Sequence, residues 1–324
     1  MKEILEIINL ETRFNTEYGI LKAVNGVDLR VHEKETLGIV GESGSGKTVL
    51  ALSIMRLVQC PPGEIVAGKI LYGGIDLLRI AEPEMRKIRG NEISMIFQEP
   101  MTSLNPVFKV GEQIAEVVRL HQRVSGKEAI KRAVEMLRLV GMPSPEITIN
   151  RYPHQMSGGM RQRVMIAMAM SCKPRLMLAD EPTTALDVTI QAQIIDLIGM
   201  MKEQSATAVV LITHDLGVIA DSAHNVAVMY AGKIVEYGPV STMFSAPLHP
   251  YTMGLLESTP EIKKRAEHDN YLKTIPGNVP DMYHLPEGCS FQDRCPQVME
   301  QCKNKEPEYV EKNPGRCVRC WLHV

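Results

Sequence analysis

The sequence predicts an α/β fold: a parallel sheet carrying a helical insertion, followed by a small C-terminal region. Three observations support this. Short apolar runs alternate with stretches of helical spacing up to about residue 240. One of these runs leads straight into Gly41-Glu-Ser-Gly-Ser-Gly46-Lys47-Thr48, which fits G-x-x-x-x-G-K-[ST] at every fixed position and is followed by a helical pattern. After Gly238 the character changes, with prolines from Pro239 to Pro314 breaking the chain into short pieces.

The elements follow in order. The runs at Glu35–Val40, Glu92–Phe97, Arg175–Ala179 and Thr207–Thr213 are apolar enough for strands buried on both faces. Val49 to Met55 reads as the helix after the glycine loop. Between about 100 and 156 the pattern turns helical. Ser125-Gly-Lys-Glu128 is a capping box, and Ala129, Ile130, Ala133, Val134, Leu137 and Val140 follow at helical spacing until Gly141 and Pro143 stop the helix. A second helix runs from Met160 to Cys172. Val226–Tyr230 and Lys233–Tyr237 predict a hairpin with Ala231-Gly232 at its turn.

Composition narrows the function classes. The chain has 324 residues and a net charge of −2, from 36 basic and 38 acidic side chains, so no global basic excess points to nucleic acid. It contains no apolar run of membrane-spanning length, and Met-Lys-Glu-Ile-Leu-Glu at the N-terminus lacks the apolar core of a signal peptide, so a cytosolic or peripheral protein is expected. Of seven cysteines, Cys60 and Cys172 are scattered and expected to be buried thiols. Cys289, Cys295, Cys302, Cys317 and Cys320 cluster near the end, a pattern that suggests a metal or cluster site more than disulfides.

The glycine loop is the strongest motif. Gly41, Gly44 and Gly46 let the backbone amides turn inward, Ser43 and Ser45 fill the positions between, and the helix N-terminus adds partial positive charge. Lys47 is placed to reach the β- and γ-phosphates of a nucleotide, and Thr48 to offer its hydroxyl to Mg²⁺. The run Leu176-Met-Leu-Ala179 ends in Asp180-Glu181, where Asp180 suits a Mg²⁺ ligand and Glu181 a general base; a strand ending in a solvated turn explains these two carboxylates equally well. Ser157-Gly158-Gly159 before the second helix is either a further anion site or an ordinary helix cap. Gln98 and His214 each follow a strand, where they could contact Mg²⁺ and the γ-phosphate or simply be strand-end residues.

Taken together and in order, these parts resemble the ATP-binding-cassette (ABC) ATPases over about residues 1–240. The matching pieces are the loop at 41–48, Gln98, the signature Met156-Ser-Gly-Gly-Met160, Asp180-Glu181, the Ala185-Leu-Asp187 loop and His214. Tyr18 lies where family members carry an aromatic that stacks on adenine. Met160 departs from the usual Gln, but the three phosphate-facing residues before it are retained. Met160-Arg-Gln-Arg163, Gln98 to Pro106, and Tyr152-Pro-His-Gln155 resemble the peptide-importer branch. So do His249-Pro-Tyr-Thr252, Leu255-Leu256, Ser258-Thr-Pro260, Ile275-Pro-Gly277 and Val279-Pro280, which are similar to the tail of ATP-binding subunits from oligopeptide, dipeptide and nickel importers.

The resemblance implies a P-loop NTPase cassette, made of a RecA-like core with an antiparallel β subdomain and a helical subdomain at about 100–170. It also implies domains at 1–240 and 241–324. It implies ATP and Mg²⁺, with Thr48, Gln98 and Asp180 on the metal, Glu181 and His214 in hydrolysis, and Ser157, Gly158 and Gly159 serving the nucleotide of a partner cassette. In the tail it implies a [4Fe–4S] cluster on Cys289, Cys295, Cys302 and Cys320, with Cys317 a substitute for the last and Zn²⁺ the alternative metal. The expected partners are a second, paralogous ATPase subunit, two membrane permease subunits and, indirectly, an external peptide-binding protein, at the cytoplasmic face of the membrane. The alternatives are a soluble ABC ATPase acting on nucleic acid or ribosomes, and a metal-sensing module.

Overall fold

The structure is a computed structural model and describes residues 2–98, 103–184, 186–259 and 274–324. In chain order the strands are β1 (Glu3–Thr16), β2 (Gly19–His32), β3 (Thr36–Val40), β4 (Gly63–Tyr72), β5 (Ile75–Asp76), β6 (Ile93–Ile96), β7 (Leu176–Asp180), β8 (Ala208–Ile212), β9 (Asn225–Tyr230), β10 (Lys233–Pro239), β11 (Tyr309–Asn313) and β12 (Arg316–Arg319). The chain divides into two compact units: Met1–Ile4 with His32–Glu35 and Arg79–Val210, and Leu5–Val31 with Thr36–Leu78 and Leu211–Val324.

In the first unit β6 and β7 pair in parallel, Ile93 opposite Leu176 through Ile96 opposite Ala179. All five residues of β7 are buried, which is why it reads as an unbroken apolar run. The helix Gly158–Met170 packs on β6 and on the helix Val188–Ser205, and the helices Val110–Gln122 and Gly126–Leu139 pack on each other and on Gly158–Met170. The helix at 126 starts where its sequence says it should, with Ser125 accepting from the Glu128 N–H at 3.3 Å.

The second unit holds two sheets. One is antiparallel, in the order β2-β1-β4-β5. The other contains β3 parallel to β9, with β9 and β10 forming a hairpin. Ala231 (φ 46°) and Gly232 (φ 80°) are both left-handed, as a tight two-residue hairpin turn requires. The C-terminal segment continues this sheet: β12 pairs with β10, Tyr237 opposite Cys317, and β11 with β12. Val318, fully buried on β12, contributes about 2 kcal/mol of apolar burial to that attachment. Glu236 on β10 is also fully buried. It accepts from the backbone N–H groups of Leu248 (2.9 Å) and His249 (2.8 Å) and pairs with Arg316, which sets the start of the helix Pro250–Glu257. Among the described residues no helix is long and apolar enough to cross a membrane.

Candidate functional site

In the second unit, β3 delivers the chain into the glycine loop, and the helix Lys47–Ile54 begins at its end. Only glycine fits at two corners. A Cβ on Gly41 would meet the Met229 carbonyl oxygen at 2.1 Å, and one on Gly46 would meet the Ala23 carbonyl oxygen at 2.1 Å, with φ of +154° and +102° respectively. Gly44 (φ +78°) faces open space. Lys47 Nζ lies inside the loop and donates to the carbonyls of Gly41 (2.8 Å) and Glu42 (2.9 Å). Ser45 is buried, Ser43 is exposed and Thr48 half-buried. Tyr18 stands on the turn between β1 and β2 and is 76% exposed. His214 is exposed at the end of β8, just before Asp215, which caps the helix Leu216–Ser222 by accepting from Gly217 and Val218 N–H.

In the first unit, Asp180 is the last residue of β7 and is buried. Glu181 follows at φ 44°, a left-handed conformation that is uncommon for a residue with a side chain. Two donors converge on its Oε2: Gln98 Nε2 at 3.0 Å and Thr184 Oγ1 at 2.7 Å. The structure thus brings Gln98 and Glu181 together across 83 residues of sequence. Ser157 caps the helix Gly158–Met170, accepting from the Met160 N–H at 3.4 Å, and Ser157 and Gly158 are exposed at its N-terminus. Glu99 to Thr102, Ala185 and Pro260, which belong to the motifs quoted above, lie outside the described residues.

The tail requires a correction. Cys289, Cys295, Cys302 and Cys320 line one small cavity with Phe291, Pro250, Trp321 and Leu322. However, among the described residues no group of three or more His, Cys, Asp or Glu side chains is arranged to hold a metal ion. The expected iron–sulfur centre, and with it the zinc alternative, is therefore not supported. Burial pushes the Cys289 thiol up to about 12 and raises those of Cys295 and Cys320. Cys317 sits apart on β12, hydrogen-bonded to Tyr309. Cys60, expected to be buried, is exposed, whereas Cys172 is buried.

Sequence reasoning passed over Arg294 and gave Tyr251, quoted only within His249-Pro-Tyr-Thr252, no role of its own. Arg294 donates to both carboxylate oxygens of Glu42 in the glycine loop, at 2.8 and 3.1 Å, and Tyr251 Oη accepts from the Glu42 N–H at 2.9 Å. The loop motif leaves its second position open, so no pattern could announce partners so far along the chain.

Comparison with known proteins accounts for nearly the whole chain. A family model described as ABC transporter matches residues 24–184, and one described as oligopeptide/dipeptide transporter, C-terminal region, matches residues 235–302. A probable peptide ABC transporter ATP-binding protein of Sinorhizobium fredii is 52% identical over 98% of this chain and 94% of its own. The chain belongs to the ABC transporter family. Another family member, the oligopeptide transport ATP-binding protein AppD of Bacillus subtilis, is 50% identical over 100% of this chain and 98% of its own. Among solved ABC cassettes, a dimeric post-hydrolysis state of MJ0796, described as bound to ADP and Pi, has a TM-score of 0.66. It is 28% identical and covers 73% of this chain and 98% of its own. The ABC cassette fold expected from the sequence is thus the fold of this chain.

Proposed function

We propose that this chain is the ATP-hydrolysing subunit that energises import of di- or oligopeptides through an ABC transporter. The observation that supports it best is full-length identity of about half to proteins named for peptide and oligopeptide transport, extending through the C-terminal transporter region. The same names count against the nucleic-acid or ribosomal alternative. In this reading residues 1–240 are the ATP-binding domain, with its helical part at about 100–170, and 241–324 a C-terminal region. The partners are a second, paralogous ATPase subunit and two permease subunits at the cytoplasmic membrane face, with an external peptide-binding protein delivering cargo.

The residues take these roles. The inward amides of Gly41 to Thr48 and the Lys47 ammonium hold the phosphates of ATP, and Tyr18 stacks on the base. Lys47 exchanges its present carbonyl partners for phosphate oxygens, a step its flexible stem permits. The Thr48 hydroxyl, the Gln98 amide oxygen and the Asp180 carboxylate would each offer Mg²⁺ a hard oxygen donor. When bound, Mg²⁺ neutralises charge on the β- and γ-phosphates. Glu181 takes a proton from the attacking water at its carboxylate, oriented by Gln98 and Thr184, and His214 contacts the γ-phosphate. Ser157, Gly158 and Gly159 complete the nucleotide site of the partner cassette.

The test is reconstitution with two permease subunits and the paralogous ATPase in vesicles. ATP-driven uptake of a labelled oligopeptide is expected, and Lys47→Ala should abolish it. ATP hydrolysis without uptake of any peptide in a mixed library would overturn the cargo assignment.

A further inference from the structure

Glu42 is the one carboxylate in the phosphate loop. It is gripped at three points. Both carboxylate oxygens accept from Arg294, its N–H donates to Tyr251 Oη, and its carbonyl accepts from Lys47 Nζ. The ion pair is withdrawn from water, with Arg294 7% and Glu42 23% exposed. Arg294 is itself fixed: its Nε donates to the Pro276 carbonyl at 3.0 Å, and its guanidinium lies over the rings of Tyr230 and Phe291. Tyr251 is fully buried, packed on Tyr230 (4.5 Å between ring centres) and Phe291 (5.4 Å). Burial works against the Arg294 cation, but its hydrogen bonds to Glu42 and Tyr230 outweigh this and hold its pKa above the ordinary value. Burial likewise raises the Tyr251 hydroxyl, so it remains a neutral phenol.

A carboxylate in a loop that receives a polyphosphate opposes binding unless it is neutralised, and loop amides bind phosphate well only if they are already aimed. We infer that Arg294 and Tyr251 are positioning residues for nucleotide binding. The C-terminal region neutralises Glu42, pins its backbone and presets the phosphate loop for a nucleoside triphosphate. This rests on the nucleotide reading of the loop given above.

The experiment is displacement of a fluorescent ATP analogue by MgATP from the full-length chain, with melting temperature followed in parallel. Arg294→Met should weaken ATP binding about tenfold, because it leaves Glu42 charged and unpaired beside the phosphates. Adding Glu42→Gln to it should bring affinity back to within about threefold of wild type, since the offending charge is then gone. A purely structural role for Arg294 would leave the double variant as weak as the single one, and that result overturns the inference. Tyr251→Phe keeps the packing and removes only the acceptor; about threefold weaker binding at unchanged melting temperature is expected. Wild-type affinity in both Arg294→Met and Tyr251→Phe would also overturn it. Lys47→Ala serves as the control: if it binds ATP normally the nucleotide reading fails, and if it does not while Arg294→Met does, only the inference fails.

Discussion

Glu181 departs from ordinary backbone geometry at the one point where a general base is proposed, a left-handed residue directly after a buried strand. Its carboxylate accepts from an amide and a hydroxyl, which orient it. Glu181→Gln should keep ATP affinity, lose at least about a hundredfold in hydrolysis, and accumulate as an ATP-bound dimer seen by size-exclusion chromatography. Normal turnover in that variant would remove the base assignment. At this scale legibility depends on contiguity. Lys47 and the glycines around it stand in one short run whose spacing is dictated by phosphate geometry, so the sequence displays them together. Arg294 is joined to Glu42 only by the fold, and its local sequence, Gln-Asp-Arg-Cys, carries no sign of that bond.

Among the elements, β3, β7 and β8 are legible because both faces are covered and every residue is buried. The long β1 and β4 are not legible by the same route. Their burial alternates, and the register between them shifts near Ile8 and Glu11, where Asn9 adopts φ 45°, so a simple period of two is broken. The helix Pro250–Glu257 illustrates a different kind of support, since its entry depends on a buried carboxylate from a neighbouring strand. Glu236→Ala would leave two backbone donors and Arg316 without their acceptor, and should cost about 3 kcal/mol in urea unfolding. Ser125→Ala, which removes one solvent-exposed helix cap, should cost about 1 kcal/mol in the same assay. Equal losses would mean that Glu236 does no more than an ordinary cap.

For the whole molecule, the question is how a cassette hands work to a membrane. Val107 and Phe108 are 72% and 55% exposed, next to the segment whose sequence resembles the peptide-importer branch. Two neighbouring apolar side chains left in water suit docking to a permease. Phe108→Asp is therefore expected to leave ATP hydrolysis by the isolated chain unchanged while peptide uptake in reconstituted vesicles falls at least about tenfold. Unimpaired uptake would move the docking surface elsewhere. The overall fold was largely legible because motif order alone selects the ABC cassette, whereas the way residues 309–319 add strands to β10 could not be read from short, proline-broken pieces. The grip on Glu42 also has a consequence for biosynthesis. Glu42 and Arg294 are 252 residues apart in the chain. At about 5–20 residues per second, a ribosome needs on the order of 13–50 s to travel from one to the other. A nascent chain therefore carries a phosphate loop with an unneutralised carboxylate throughout that interval, and full affinity for nucleotide arrives only after Arg294 has emerged and reached Glu42.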